Sequence, residues 1–194
     1  MSLDIAITGH TRGIGQCIKE LFERHNFTVF GLSRSNGYDL QNQFDEINSA
    51  IINRDSDIFI NNAYVPVHQT KLLQSIYDKW KLNKKLIINI GSIASVLPST
   101  HSDYNSEYAT NKRQQRHFCE EHNLAYSKKD FKTIKCGLSN LNCDYVNTSF
   151  KSKYDKTLFP NLEPRSVANI IKFICDSFFN DNLTIREINT HSIV

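Results

Sequence analysis

Residues 3–15, LDIAITGHTRGIG, join a short apolar run to the start of an amphipathic helix. Leu3–Thr8 has the pattern of a buried strand. Three of the chain's seven glycines fall between Gly9 and Gly15, where this strand would pass into the helix. Apolar residues then recur at helical spacing, at Ile14, Cys17, Ile18, Leu21 and Phe22. The stretch therefore predicts a strand, a tight turn and a helix, which is the first unit of an α/β fold.

The same alternation of strand and helix patterns continues along the chain. Further strands are predicted at Phe27–Leu32, Asp57–Ile60, Leu86–Ile90, Phe131–Cys136 and Leu183–Ile188. Further helices are predicted at Phe44–Ile52, Leu72–Trp80 and Tyr108–His122, and from Pro164 onward. Strands separated by helices form right-handed β-α-β units and a parallel sheet with helices on both faces. The prediction is one doubly wound α/β domain over residues 1–194, in three layers, α/β/α.

Composition excludes several classes of protein. The 194 residues are 40% apolar and 22% charged with a net charge of +3, which is typical of a globular domain. Scattered basic residues argue against nucleic-acid binding, and no apolar run approaches the roughly 18 residues that cross a bilayer. The start of the chain does not have the pattern of a secretory signal. Five cysteines without a Cys-x-x-Cys pair, and dispersed histidines, predict free thiols and no metal site. We expect a soluble, cytoplasmic protein.

The glycine cluster also predicts a ligand. A turn at the start of a helix can bring backbone N–H groups close to a phosphate when no side chain obstructs them. The alternative is a tight turn that binds nothing, since the Gly-x-x-x-Gly-x-Gly pattern of Gly9, Gly13 and Gly15 is weak alone. Its place after the first strand of an α/β chain favours dinucleotide binding.

The end of the second strand predicts which dinucleotide. The residue there, about 20 positions past the glycines, meets the adenosine ribose in dinucleotide folds. This chain has Ser33-Arg34 at that point and no acidic residue before Asp39. A guanidinium suits the 2′-phosphate of NADP, and Arg12 in the glycine loop could add a second charge. We therefore expect NADP(H) in preference to NAD(H), the alternative being that Arg34 is a solvated loop residue.

A tyrosine and a lysine are separated by one helical turn at Tyr108-x-x-x-Lys112. A nearby cation favours the phenolate, so we expect Lys112 to lower the pKa of Tyr108 toward working pH. Such a phenol can exchange a proton with a carbonyl oxygen. Tyr77 and Lys81 have the same spacing, but they precede the strand Leu86–Ile90 and are interpreted as a surface pair.

Taken together, these motifs resemble those of the short-chain dehydrogenase/reductase family, and the resemblance covers nearly the whole chain. The matching motifs, in order, are Thr8-Gly9-x-x-x-Gly13-Ile14-Gly15, Asp39-Leu40, Asn61-Asn62-Ala63, Asn89-Ile90-Gly91-Ser92 and Tyr108-x-x-x-Lys112. The resemblance implies a Rossmann-type fold, a nicotinamide cofactor and a Ser-Tyr-Lys catalytic site.

The resemblance also implies a role for each matched residue. Tyr108 would give or take a proton, Ser92 would bind the substrate oxygen, and Lys112 would hold the nicotinamide ribose. The complete expected cofactor site is Gly9, Thr11, Arg12, Gly13, Ile14, Gly15, Ser33, Arg34, Asp39, Leu40, Asn62, Ala63, Tyr108, Lys112 and Gly137.

The chain departs from the family pattern at several points. Few residues separate Arg34 from Asp39, so a helix and much of a strand are expected to be missing there. Tyr64 follows Asn-Asn-Ala in place of a glycine, and the catalytic asparagine of many relatives finds no position before Ile87. The family's Pro-Gly aligns with Cys136-Gly137.

Two questions stay open at the level of sequence. Ser92 matches the family's serine by its place at a strand end, whereas Ser95 is nearer to Tyr108 along the chain; we favour Ser92. The motifs predict an NADP(H)-dependent oxidoreductase that interconverts a small-molecule carbonyl and alcohol. The alternative is a non-catalytic NADP(H)-binding sensor or partner-binding module. The charged helix Tyr108–His122 leaves a homodimer possible but not required.

Overall fold

The computed structural model describes residues 3–128, 135–143 and 162–190. Within these ranges, parallel strands form one sheet in the order β2-β1-β3-β4-β5-β6. The strands are β1 (Asp4–Thr8), β2 (Thr28–Leu32), β3 (Ile58–Asn61), β4 (Leu86–Ser92), β5 (Gly137–Cys143) and β6 (Glu187–Asn189). The helices are α1 (Gly13–Arg24), α2 (Phe44–Arg54), α3 (His68–Trp80), α4 (Glu107–Lys128) and α5 (Pro164–Asn180). The predicted Rossmann-type α/β fold is confirmed.

Each face of the sheet has its own hydrophobic core, because side chains alternate along a strand. Ile5 and Ile7 of β1 pack with α1 and α5 on one face. Ala6, Phe59 and Ile87 pack with α2 and α3 on the other, where α4 also contributes. The two cores place the sheet in the middle of three layers, as predicted.

The face beneath α3 and α4 changes character along the strands. Near the start of the strands it is apolar, but amide side chains replace apolar ones toward their carboxyl ends. Asn61, Asn89, Asn140 and Asn142 lie there, and each is almost completely buried. Asn61, Asn89 and Asn140 hydrogen-bond to one another across the strands, and Asn140 bonds to Asn142 along β5, which offsets most of the penalty of burying them; Asn61 Oδ1 has no partner among the described residues.

Lys135 and Cys136, the described part of the predicted strand Phe131–Cys136, lie outside a strand, and β5 begins at Gly137. Its sequence, GLSNLNC, lacks the apolar pattern of a buried strand, yet all seven residues are buried. The position of Gly137 at the start of β5 also disagrees with its predicted role as a cofactor residue. Gly137 pairs with Leu86, the first residue of β4. It therefore lies at the amino ends of these parallel strands, away from the carboxyl ends of β1 and β4. The residue at the end of β5 is Cys143. Residues 131–134 lie outside the described ranges.

The order of the strands locates a crevice. The chain runs from β1 to β2 on one side and then crosses to β3 on the other side of β1. In open α/β sheets, ligands bind outside the carboxyl ends of the strands at such a reversal. β2 is one of the two edge strands of the described sheet, and only a short turn at Arg34–Asn36 follows it before α2, which agrees with the expected deletion.

No helix of the described ranges is long and apolar enough to cross a bilayer. Among the same residues, no group of three or more His, Cys, Asp or Glu side chains is placed to share a metal ion. All five cysteines are free thiols.

Candidate active site

The glycine loop is fixed by contacts between the ends of β1 and β3. Gly9 and Gly13 have positive φ angles of 72° and 56°, which glycine adopts without strain. The Asn62 side chain donates from Nδ2 to the carbonyl oxygens of Thr8 and Gly9, at 3.0 and 3.1 Å. In return, Thr8 Oγ1 accepts from the backbone N–H groups of Asn62 and Ala63, both at 3.0 Å. These four hydrogen bonds therefore fix the conformation of the glycine loop.

Gly15 has a different function in this loop. A side chain there would collide with the carbonyl oxygen of Gly9 and lie 2.9 Å from Asn62 Nδ2. Gly15 therefore permits the first turn of α1 to pack closely against the loop, and it does not line the cleft itself.

A cleft of about 1140 Å³ opens above the carboxyl ends of the strands. Its wall contains every residue predicted for cofactor binding or catalysis except Gly15 and Gly137. One end holds the glycine loop and the amino terminus of α1, together with Arg12, Ser33 and Arg34. An end with helix N–H groups and two guanidinium groups is suited to bind phosphate.

The other end of the cleft holds Ser92, Tyr108 and Lys112. Ser92 is the last residue of β4, and its hydroxyl hydrogen-bonds to the Tyr108 side chain. Ser92 Oγ also accepts from the N–H of Ala94 at 3.2 Å. Ser95 lies elsewhere, because its hydroxyl donates to Asn142 Oδ1 at 3.1 Å and does not line the cleft.

The pKa of Tyr108 is raised, so the expected lowering by Lys112 is wrong. Tyr108 is 41% exposed, but neighbouring protein atoms still partly desolvate its phenol, which disfavours the charged phenolate; the hydrogen bond with Ser92 offsets this only in part. Lys112 Nζ lies 5.7 Å from the centroid of the Tyr108 ring. Complete burial also lowers the pKa of Lys112 itself, to about 7, so its positive charge is reduced near neutral pH.

Tyr64 adds a second phenol to this end of the cleft. Its ring packs edge-on against the ring of Tyr108, with the centroids 4.8 Å apart. Lys112 Nζ lies 5.3 Å from the centroid of Tyr64, below both rings. The residue that departs from the family pattern therefore contacts the predicted catalytic pair directly.

Sequence reasoning missed two glutamines that bind Lys112. Lys112 Nζ donates to Gln69 Oε1 at 2.9 Å and lies 3.4 Å from Gln115 Oε1. Gln115 could have been found from spacing, since it follows Lys112 by three residues on one helix. Gln69 lies on α3, the helix in which no catalytic asparagine could be placed, and only the tertiary structure brings it to Lys112.

Comparison with known proteins places this geometry in context. No protein-family model and no curated protein matches the sequence. Among solved structures, a 3-ketoacyl-(acyl-carrier-protein) reductase from Brucella melitensis complexed with NADH matches with a TM-score of 0.76, over 97% of this chain and 96% of that one, at 16% identity. The chain has the fold of short-chain dehydrogenases.

Two further solved structures agree. A short chain dehydrogenase from Burkholderia cenocepacia J2315 in complex with NADP has a TM-score of 0.73 at 14% identity, covering 99% of this chain and 90% of that one. The 3-alpha-hydroxysteroid dehydrogenase from Pseudomonas sp. B-0831, complexed with NADH, has a TM-score of 0.71 at 19% identity, covering 96% and 95%. The predicted resemblance is thus confirmed at the level of the fold.

Proposed function

We propose that the protein is an NADP(H)-dependent oxidoreductase of the short-chain dehydrogenase/reductase family that interconverts a carbonyl and an alcohol. The observation that carries the proposal is the cleft itself. It joins a phosphate-binding glycine loop at one end to Ser92, Tyr108 and Lys112 at the other. The similar solved structures are described as dehydrogenases and reductases, with NADH or NADP bound, which supports the same class of reaction.

The residues of the cleft fit a nicotinamide dinucleotide. Gly9 and Gly13 carry no side chain, so a diphosphate could approach the backbone of the loop at these two positions. Leu40, which is buried, and Asp39 line the cleft beyond β2 and would border the adenine. Asn62 and Ala63 would border the adenosine ribose.

The preference for NADP(H) rests on charge at the adenosine end. Arg34 and Arg12 both line the cleft there, beside Ser33 and Ser35. Two guanidinium groups favour a ribose that carries a 2′-phosphate, since each can form parallel charge-assisted hydrogen bonds with it.

The chemistry assigned to the chain's own residues is proton transfer. When bound, the nicotinamide would supply a hydride to the substrate carbon or accept one from it. Tyr108 keeps its proton at neutral pH, so it could donate that proton to a carbonyl oxygen during reduction, and its phenolate could take the proton back during oxidation. Ser92, which already contacts the phenol, would bind the same oxygen.

A second candidate is a protein that binds NADP(H) without catalysis. The observation in its favour is the crowding of the catalytic end, where the ring of Tyr64 packs against Tyr108. Such a protein would bind the dinucleotide by the glycine loop and respond to it by contacts with a partner.

Replacement of Tyr108 by Phe distinguishes the two candidates. The variant keeps the aromatic ring and its packing, so NADPH affinity should stay within a few-fold. Reduction of any accepted aldehyde, ketone or quinone should fall by about 10²–10⁴, the usual contribution of a general acid. Affinity is measured by NADPH fluorescence, and turnover by NADPH consumption over a broad panel of carbonyl compounds.

Tyr104→Phe is the matched control, because Tyr104 lies in the preceding loop, with Arg113 3.9 Å from its ring centroid, and does not line the cleft. Its activity should equal that of the wild type. Tight NADPH binding without any turnover that depends on Tyr108 would favour the non-catalytic module.

We also propose that the protein works in the cytoplasm. All five cysteines are free, and four of them are buried, which suits the reducing environment of the cytoplasm. The substrate is proposed to be a small-molecule carbonyl or alcohol, and a homodimer remains a prediction from the sequence.

A further inference from the structure

The turn that follows β2 is closed by the side chain of one residue, Asn36. Its Oδ1 accepts from the backbone N–H of Ser33 at 2.8 Å and from the Ser33 hydroxyl at 3.0 Å. Its Nδ2 donates to the backbone oxygen of Gly31, within β2, at 2.8 Å. One amide group therefore ties residues 33–36 to the strand by three hydrogen bonds. The amide cannot be reversed, because that would place its N–H groups against the N–H of Ser33.

Backbone hydrogen bonds complete the turn. The N–H groups of Asn36 and Tyr38 both donate to the Ser33 oxygen, at 3.1 and 2.9 Å. Gly37 has a φ angle of 89°, which glycine adopts without strain, and it ends the turn. Asn36 is itself exposed to solvent, so it does not belong to a core. Its contribution to the turn therefore comes from its hydrogen bonds and not from burial.

Arg34 lies inside this turn, exposed to solvent on the wall of the cleft. Within the ranges that the structure describes, no carboxylate forms an ion pair with its guanidinium. Asp39 lies on the same wall, but its carboxylate accepts from Asn42 Nδ2 at 2.9 Å and from the N–H of Gln41 at 3.1 Å. The charge of Arg34 is therefore available to an anion that enters the cleft.

The order of the turn affects how strongly Arg34 can bind such an anion. An arginine on a free loop loses backbone freedom when it binds, and that loss weakens the affinity. At Arg34 the backbone is already ordered, because Asn36 holds the residues on either side of it. No helix does this in its place, since α2 begins only at Phe44. The ordering of Arg34 thus depends on a single side chain.

We propose that Asn36 is a positioning residue that fixes Arg34 in the cleft and thereby sets the preference for a nucleotide with a 2′-phosphate. The preference rests on the proposed function, in which NADP(H) binds with its 2′-phosphate near Arg34. The order of the turn does not rest on it, because it follows from hydrogen bonds within the chain.

The first experiment compares the affinities for NADPH and NADH by nucleotide fluorescence. Asn36→Ala should weaken NADPH binding about fivefold or more and NADH binding less than about twofold, because only NADPH has the phosphate that Arg34 would bind. General damage to the fold or to the glycine loop would weaken both nucleotides alike. Equal losses for the two nucleotides, or an unchanged NADPH affinity, would overturn the proposal.

A double variant tests whether Asn36 acts through Arg34. Arg34→Ala alone should weaken NADPH binding about tenfold, and adding Asn36→Ala should weaken it less than about twofold further. Independent effects would multiply instead, and that result would contradict a positioning role. Asn83→Ala is the matched control, because Asn83 is an exposed asparagine of another turn, between α3 and β4, and does not line the cleft. It should leave both affinities unchanged.

The second experiment measures the order of the turn in the full chain without any nucleotide. Trypsin cleaves after arginine, and cleavage requires the chain to leave its folded conformation locally. Cleavage after Arg34, read by mass spectrometry, should be about threefold faster or more in Asn36→Ala and unchanged in Asn83→Ala. Equal rates in Asn36→Ala and the wild type would show that Asn36 does not fix the turn. If the wild type binds neither NADPH nor NADH, the proposed function fails, while the cleavage rates still decide whether Asn36 fixes Arg34.

Discussion

Replacement of Lys112 by Met should change how the stability of the protein depends on pH. Lys112 is buried, and within the described residues its hydrogen bonds go to neutral oxygens and not to a carboxylate. Burial therefore lowers its pKa from the ordinary 10.5 to about 7. Methionine has a similar length and cannot bind a proton, so the variant removes this titration.

The sign and size of the effect follow from proton binding. Between pH 7 and pH 9 the unfolded chain keeps the proton on Lys112, whereas the folded chain loses it. The unfolded state thus binds more protons, and the free energy of unfolding of the wild type should rise with pH. One bound proton corresponds to about 1 kcal/mol per pH unit, so the wild type should gain about 2 kcal/mol relative to the variant over this range.

Urea unfolding at pH 7, 8 and 9 measures the difference. Lys71→Met on the exposed face of α3 is the matched control and should run parallel to the wild type. Burial raises the pKa of the Cys136 thiol to about 12, which lowers stability above pH 9. That effect is common to all three proteins and cancels in the comparison. Parallel curves for the wild type and Lys112→Met would refute a lowered pKa for Lys112.

Two further predictions concern the two ends of the cleft. Arg34→Asp should weaken NADPH binding at least tenfold, about 1.4 kcal/mol, through loss of a charge-assisted pair, and should affect NADH far less; equal losses by titration calorimetry would contradict a 2′-phosphate site. Ser92→Ala should reduce turnover by about 10²–10³ because a donor to the substrate oxygen is removed, whereas Ser95→Ala should be mild in the same NADPH assay. The opposite order would assign the substrate oxygen to Ser95.

Local patterns in the sequence were enough to predict the first four strands and the glycine loop. Apolar runs such as Ile58–Ile60 have few alternatives to a buried strand, and the glycines of residues 9–15 mark a turn that other residues adopt with strain. The spacing of Tyr108 and Lys112 placed both on one helix. These features depend on residues close together in the chain, so they could be predicted without the fold.

Only the tertiary structure decided the position of β5, because its burial depends on residues far away in the chain. Asn140 and Asn142 are stable inside the protein since Asn89 and Glu187, on neighbouring strands, satisfy their amide groups. A pattern search treats such residues as exposed, so it did not predict the strand Gly137–Cys143, and it expected Gly137 to follow the carboxyl end of a strand when Gly137 in fact begins one.

The tertiary structure also determines the protonation of Tyr108 and Lys112. The sequence put a cation one turn from Tyr108 and so predicted a lowered phenol pKa. The fold instead buries Lys112 among oxygens from Gln69, Ile90 and Gln115 and leaves Tyr108 partly exposed. Desolvation raises the pKa of Tyr108 and lowers the pKa of Lys112, so both groups move toward their neutral forms. Spacing along a helix determines which side chains are neighbours, but the surrounding protein determines their charge.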